Sequence, residues 1–209
     1  MQTDFLSASD TPRPILWDLT LLTILCAVIN FTGLTTFGAA NWQESIRLLA
    51  SLEMQQRADW IVPTIHGQTY LAKPPLVYWC TIAVAELTGQ TVNLGHLRFV
   101  VGFFGLLGVL MTYLAARSLL AGPLGWTLRR ASHAAWWAGL FLATGLLHVR
   151  MSRTGSIDIA ATPFVIGAVW ACVESWRTTT GWKLRVGLAF IAALMAAGAS
   201  LVKGPPAIL

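Results

Sequence analysis

Charge is scarce in this sequence, and negative charge scarcer still. Of 209 residues, 11% are Asp, Glu, Lys or Arg, with 9 acidic against 14 basic. A soluble domain carries about 25%. Cysteine is nearly absent: the 3 present, Cys26, Cys80 and Cys172, sit inside apolar segments at no paired spacing. That excludes a disulfide framework or a metal knuckle and leaves small buried hydrophobes. Alternating strand runs, low-complexity tracts, long linkers and internal repeats are also missing. These absences rule out a disordered, collagenous or nucleic-acid-coating chain and argue against a water-soluble globule. In their place, 56% of the chain is hydrophobic, Trp occurs 10 times, and long stretches carry no ionic side chain. The composition is that of an all-α integral membrane protein.

A hydrocarbon core about 30 Å thick requires about 20 helical residues. The sequence predicts about five spans, at 19–38, 99–116, 134–149, 159–173 and 186–202. The first is longer than the roughly 7–15 residues of a signal-peptide core. It reads as an uncleaved anchor, despite Ala39 and Ala40 as cleavage-like residues. The connector from Arg117 to His133 holds Arg117, Arg129 and Arg130, and the turn from Trp176 to Arg185 holds Arg177, Lys183 and Arg185. Neither contains an acid, which places both in the cytoplasm with a leader over 1–14. Residues 39–97 then form an outer loop, and 150–158 and Lys203 lie on the same outer face. The apolar stretch from Pro74 to Leu87 is short for a crossing and reads as interfacial. Asn41 to Trp60 reads as an amphipathic helix along the membrane, with Ile46, Leu49 and Leu52 on its apolar face. Trp42, Trp60, Tyr78 and Trp79 suit the headgroup level.

Ionic residues at membrane depth are costly and are functional candidates for that reason. On the outer face they are Gln43-Glu44, the run from Asp59 through His66 to Tyr70-Leu71-Ala72-Lys73-Pro74-Pro75, the group Arg150, Arg153 and Asp158, and Lys203. Each has a plainer reading. Glu44 suits a helix start, Lys73 and Lys203 suit interface anchors, and Asp158 suits a helix cap or a partner for Arg153. His66, His96, His133 and His148 have no ligand-like neighbours, so no metal or other cofactor is expected. Taken together, the cations suit a lipid phosphate and the carboxylates suit general-base work, which describes sugar transfer from a lipid-phosphate donor.

The order of these motifs resembles the polyprenyl-phosphate-sugar-dependent membrane glycosyltransferases of the GT-C fold. The similarity is greatest to the aminoarabinose-transferase-like branch, relatives of the protein O-mannosyltransferases. It rests on Glu44, Met54, Asp59-Trp60-Ile61-Val62-Pro63, Gly67, YLAKPPLVYW at 70–79, Arg98, Arg153 to Asp158 and Leu201 to Pro205. The resemblance implies a GT-C-like N-terminal half in which Glu44 is the base candidate and Asp158 a second acid. It also implies that Lys73, Arg153 and Lys203, with Tyr70 and Gln43, meet the donor. The implied partners are a polyprenyl-phosphate sugar and a lipid or cell-envelope glycan acceptor, as in lipopolysaccharide modification, together with membrane lipids and no nucleic acid. The implied location is the bacterial inner membrane, with the active face outward.

The sequence departs from the family where an Asp is usual at Gln43, an Arg at Ile46 and an acid at Ala72. It is also shorter than its relatives, as expected of an N-terminal fragment. A catalytically inactive remnant or accessory protein of the same fold is the rival expectation. A transporter is a weaker one, since no duplicated broken helices occur.

Overall fold

The computed structural model describes residues 14–176 and 181–204. The expected leader up to residue 13, Arg177 and Pro205 lie outside the described residues. The elements, in chain order, are α1 (Ile15–Phe31), α2 (Trp42–Arg57), β1 (Thr64–Ile65), β2 (Gln68–Thr69), α3 (Leu76–Leu87), α4 (Leu94–Ala121), α5 (Leu128–Thr144), α6 (Leu146–Arg153), α7 (Ile157–Trp176) and α8 (Trp182–Lys203). Helices α4, α7 and α8 are long and apolar enough to cross a membrane, while α1 and α3 are shorter apolar helices. This is a predominantly helical membrane fold. Its outside is apolar, with Trp17, Ile24 and Val28 on α1, Phe141 on α5, and Phe190 and Leu194 on α8 all exposed. Asp18, Asn30, Glu44 and Arg98 are buried within. Such an arrangement suits a hydrocarbon solvent.

Helix α4 is the hub, packing against α1, α3, α5, α6 and α7, while α8 packs mainly on α7. Small residues let the backbones approach. A Cβ at Gly105 of α4 would lie 2.3 Å from the Ser152 Oγ of α6, and one at Gly198 of α8 would lie 2.5 Å from the Phe164 ring of α7.

Several predicted boundaries move, each for a local reason. The first helix covers 15–31 rather than 19–38. It stops where Gly33 takes a positive φ of 66°, and arginines from elsewhere collect the carbonyls beyond it. Helix α4 begins at Leu94, ahead of the predicted 99, because Asn93 and His96 form a reciprocal capping box. It runs on to Ala121, so Arg117 is helical and not in a connector. The predicted span 134–149 is broken at Gly145 into α5 and α6, and the predicted outer loop 150–158 is half helix. The 12 residues of α3 extend only about 18 Å at about 1.5 Å per residue, too short to cross alone.

Two expectations are overturned. A two-residue antiparallel pair, Thr64 with Thr69 and Ile65 with Gln68, is present where no strand was expected. His66 and Gly67 turn it, at φ 53° and 74°, the positive values a tight hairpin needs. Tyr78 is not an interface ring: it is 1% exposed and packs with Met54, Ala50 and Ile82 between α2 and α3.

Candidate functional site

Helix α2 sets the site by facing inward with its polar stripe. Glu44, Arg47, Ala50, Ser51 and Met54 are its buried residues, whereas Ile46, Leu49 and Leu52 are half-buried. The expected apolar face is thus only partly covered, with Leu52 packed against the cluster around Met54 and Tyr78. Asn41 caps the helix by accepting from the Glu44 N–H at 2.9 Å, which aims Glu44 at the N-terminus of α4. There Arg98 grips it through two bonds, Nε to Oε1 at 2.8 Å and Nη2 to Oε2 at 3.0 Å. The Ala40 N–H donates to Oε2 at 2.6 Å. Arg98 also donates to the carbonyls of Leu34, Phe37 and Gly38. Glu44 has no exposed surface and three donors on two oxygens. In this geometry it is a strut, and the role of accessible base does not fit it.

The neighbouring turn closes over the same carboxylate. Gly155, at φ 61°, would place a Cβ 3.0 Å from the Glu44 Cγ, so the approach requires glycine. Its carbonyl accepts from Arg47 Nη1 at 2.9 Å, and Gln43 Oε1 accepts from Arg47 Nη2 at 3.2 Å. Burial lowers the affinity of the Arg47 guanidinium for its proton, opposed by Tyr78, Asp158, Tyr70 and Glu44 around it. Gln43 and Tyr70 therefore belong to the surroundings of Arg47.

The open part of the site lies alongside. Lys73, Ala72, Pro74 and Pro75 from the segment before α3 meet Lys203 and Gly204 at the end of α8, around a cavity of about 400 Å³. Lys203 Nζ is 2.6 Å from Asp158 Oδ1, and both side chains are roughly half exposed. Asp158 stands in the first turn of α7 and Lys203 in the last turn of α8. Each charge therefore meets the helix end that favours it. Sequence reasoning had placed Lys73, Asp158 and Lys203 on one face, and they do converge.

Arg153 does not join them. It donates to the carbonyls of Ile29 and Thr32, capping the C-terminus of α1. It is neither the partner of Asp158 nor a lining residue of the lysine cavity; a smaller cavity of about 230 Å³ has Arg153, Arg98 and Thr154 in its wall. The expected site missed Arg98 and Arg47 as its central cations. An isolated arginine opening an otherwise apolar helix was the available signal for Arg98. No group of three or more His, Cys, Asp or Glu placed to hold a metal occurs among the described residues.

The segment between α1 and α4 is braced by a second carboxylate, outside the membrane-spanning helices. Glu53 accepts from the Thr64 hydroxyl at 2.6 Å and from the N–H groups of His66 and Gly67. The Thr64 hydroxyl, then the two N–H groups, hold its pKa below the ordinary value. A depressed carboxylate stabilises the fold above its unfolded pKa, and the contribution disappears as pH falls through the folded pKa. Protection of the His66 and Gly67 amides, taken as exchange relative to the intrinsic rate at each pH, is therefore expected to fall as the solution is acidified through the carboxylate range. In Glu53→Gln that acid-dependent loss of protection is expected to vanish.

No protein-family model matches the chain, and no curated protein does. Solved structures sharing its fold include two of ArnT from Cupriavidus metallidurans, one bound to undecaprenyl phosphate and one in the apo state. Each matches with a TM-score of 0.77 at 22% identity, covering 91% of this chain and 33% of that one. The chain thus spans about a third of the length of ArnT. Over nearly its whole length it has the helical membrane fold of ArnT, the GT-C fold that its Lys-Pro-Pro and acidic motifs resemble.

Proposed function

We propose that this chain is the donor-gripping portion of a membrane glycosyltransferase. It moves a sugar from a polyprenyl phosphate to a lipid or cell-envelope glycan at the outer face of the bacterial inner membrane. The observation that carries this reading is the convergence of Lys73 and Lys203, 130 positions apart in sequence, on one cavity, with Asp158 paired to Lys203. Two ammonium groups suit a phosphate that gains charge as the sugar departs. Asp158 is the accessible carboxylate beside them and takes the base role, accepting a proton from the acceptor hydroxyl. Glu44 becomes a positioning residue, holding Arg98 and the loop over 34–40. The solved ArnT structure with undecaprenyl phosphate supports this donor class.

The test is donor binding by the purified chain and sugar transfer in membranes that contain it. Lys73→Gln is expected to weaken undecaprenyl phosphate binding about 10- to 100-fold, the worth of a charge-assisted hydrogen bond. Asp158→Asn is expected to keep binding while losing transfer. Unchanged affinity in both Lys73→Gln and Lys203→Gln overturns the reading.

A second reading, an accessory or inactive relative of the same fold, is favoured by Gln43 and Ala72 standing at positions usually acidic and by the burial of Glu44. Gln43→Asp discriminates the two: a gain of transfer favours the enzyme reading, and continued silence supports the alternative.

A further inference from the structure

The far end of the bundle carries a second cavity, unrelated to the lysine site. It has a volume of about 420 Å³ and lies between the C-terminal part of α4, the start of α5 and the later turns of α7. Its wall is divided: Met111, Leu114 and Leu128 are apolar, while Arg117, Ser118 and Trp170 carry polar groups. Along α4, Arg98 and Arg117 stand about 28 Å apart at about 1.5 Å per residue, close to the roughly 30 Å of a hydrocarbon core. The cavity therefore opens at the membrane surface opposite the lysine site.

Three observations identify the chemistry it takes. Arg117 donates from Nε to Ser132 Oγ at 3.0 Å. Among the described residues, no hydrogen bond occupies its two terminal amino groups, which leaves a half-buried fork of N–H donors. The Trp170 indole N–H is buried and unpartnered among the described residues, a state that costs free energy unless an acceptor arrives. Arg129 and Arg130 follow the lining residue Leu128 in the first turn of α5, so the helix end nearest the cavity is rich in positive charge. One acid lies close by: Glu174 of α7, itself buried, accepts the Ser118 hydroxyl. Ser118 is thereby committed, and the open donors are those of Arg117 and Trp170.

We propose that this cavity binds an anionic glycerophospholipid. The phosphate is held by the terminal amino groups of Arg117 and the Trp170 indole N–H, and the acyl chains run along Met111 and Leu114. A guanidinium fork matches phosphate oxygens bidentately. A basic pocket between helices at an anionic leaflet is a setting in which a headgroup binds well. The divided wall selects an amphiphile over a soluble anion. A choline headgroup is disfavoured, because its fixed ammonium would sit close to the Arg117 guanidinium that lines the cavity. This site stands independently of the sugar-transfer reading.

The experiment is native mass spectrometry of the whole chain, reconstituted with an equal mixture of phosphatidylglycerol and phosphatidylcholine. The expected result is retention of phosphatidylglycerol roughly tenfold over phosphatidylcholine, in line with charge-assisted hydrogen bonds. Both Arg117→Gln, which keeps a donor for Ser132, and Trp170→Phe, which deletes only the indole N–H, are expected to lose that preference. Lys73→Gln is expected to retain it. If Arg117→Gln does not insert, Trp170→Phe carries the test alone. Equal retention of the two lipids overturns the proposal. So does a preference that survives both variants, a preference lost in Lys73→Gln, or competition by inorganic phosphate as effective as by phosphatidylglycerol.

Discussion

Replacing Glu44 with Ala is expected to destabilise the protein by about 3–5 kcal/mol, the cost of breaking a buried ion pair from one side. Arg98 is 4% exposed and would keep its charge with no carboxylate to meet it. A salt bridge at the surface is worth only about 0–1 kcal/mol, so the magnitude separates strut from decoration. Thermal unfolding in detergent, followed by tryptophan fluorescence, measures it, and a loss under about 1 kcal/mol would refute the strut. A buried pair can often be replaced by two apolar residues at little cost. Here that rescue is expected to be partial. Arg98 also serves the carbonyls of Leu34, Phe37 and Gly38, and Glu44→Ala combined with Arg98→Met leaves all three without their donor.

The second large effect is expected at Gly105. A Cβ there would lie 2.3 Å from Ser152 Oγ and 3.0 Å from Ser152 Cβ, and Ser152 has no exposed surface to retreat into. Gly105→Val is expected to cost about 1–3 kcal/mol by overpacking. Since α6 delivers Arg153 to the end of α1, the variant is also expected to loosen that cap, read as faster amide exchange near Thr32. Removing the obstacle discriminates the cause: Gly105→Ala should be restored by Ser152→Gly. If the pair is no better than the single change, the clash is not responsible.

The membrane class and the approximate positions of the long helices were legible because they depend on one-dimensional quantities, apolar length and the spacing of charges. The gathering of Lys73, Asp158 and Lys203 was legible for a related reason: each lies near an apolar segment's end, and alternation across the bilayer assigns the ends to faces. Which of the ionic residues pair was not legible. Glu44 lies 54 positions from Arg98, and Asp158 takes Lys203 in preference to the sequence neighbour Arg153. Choices of that kind follow from helix rotation and packing. Nor was the buried stripe of α2 legible: Ile46, Leu49 and Leu52 of the expected apolar face are only half-buried, and Glu44, Arg47 and Ser51 go in, with partners for Glu44 and Arg47 waiting in α4 and the Gly155 turn. The short hairpin escaped notice because two residues per strand leave no alternation to detect.

Arg98 also imposes a timetable on synthesis. The carbonyl of Leu34 is served by a residue 64 positions downstream, so the turn that follows the first helix cannot be completed until the start of α4 has left the ribosome and reached the membrane. A nascent chain halted after α3 holds Glu44 without its Arg98 partner and a peptide segment with unmet carbonyls. Such an arrested product offers a quality-control protease a flaw that the completed bundle hides.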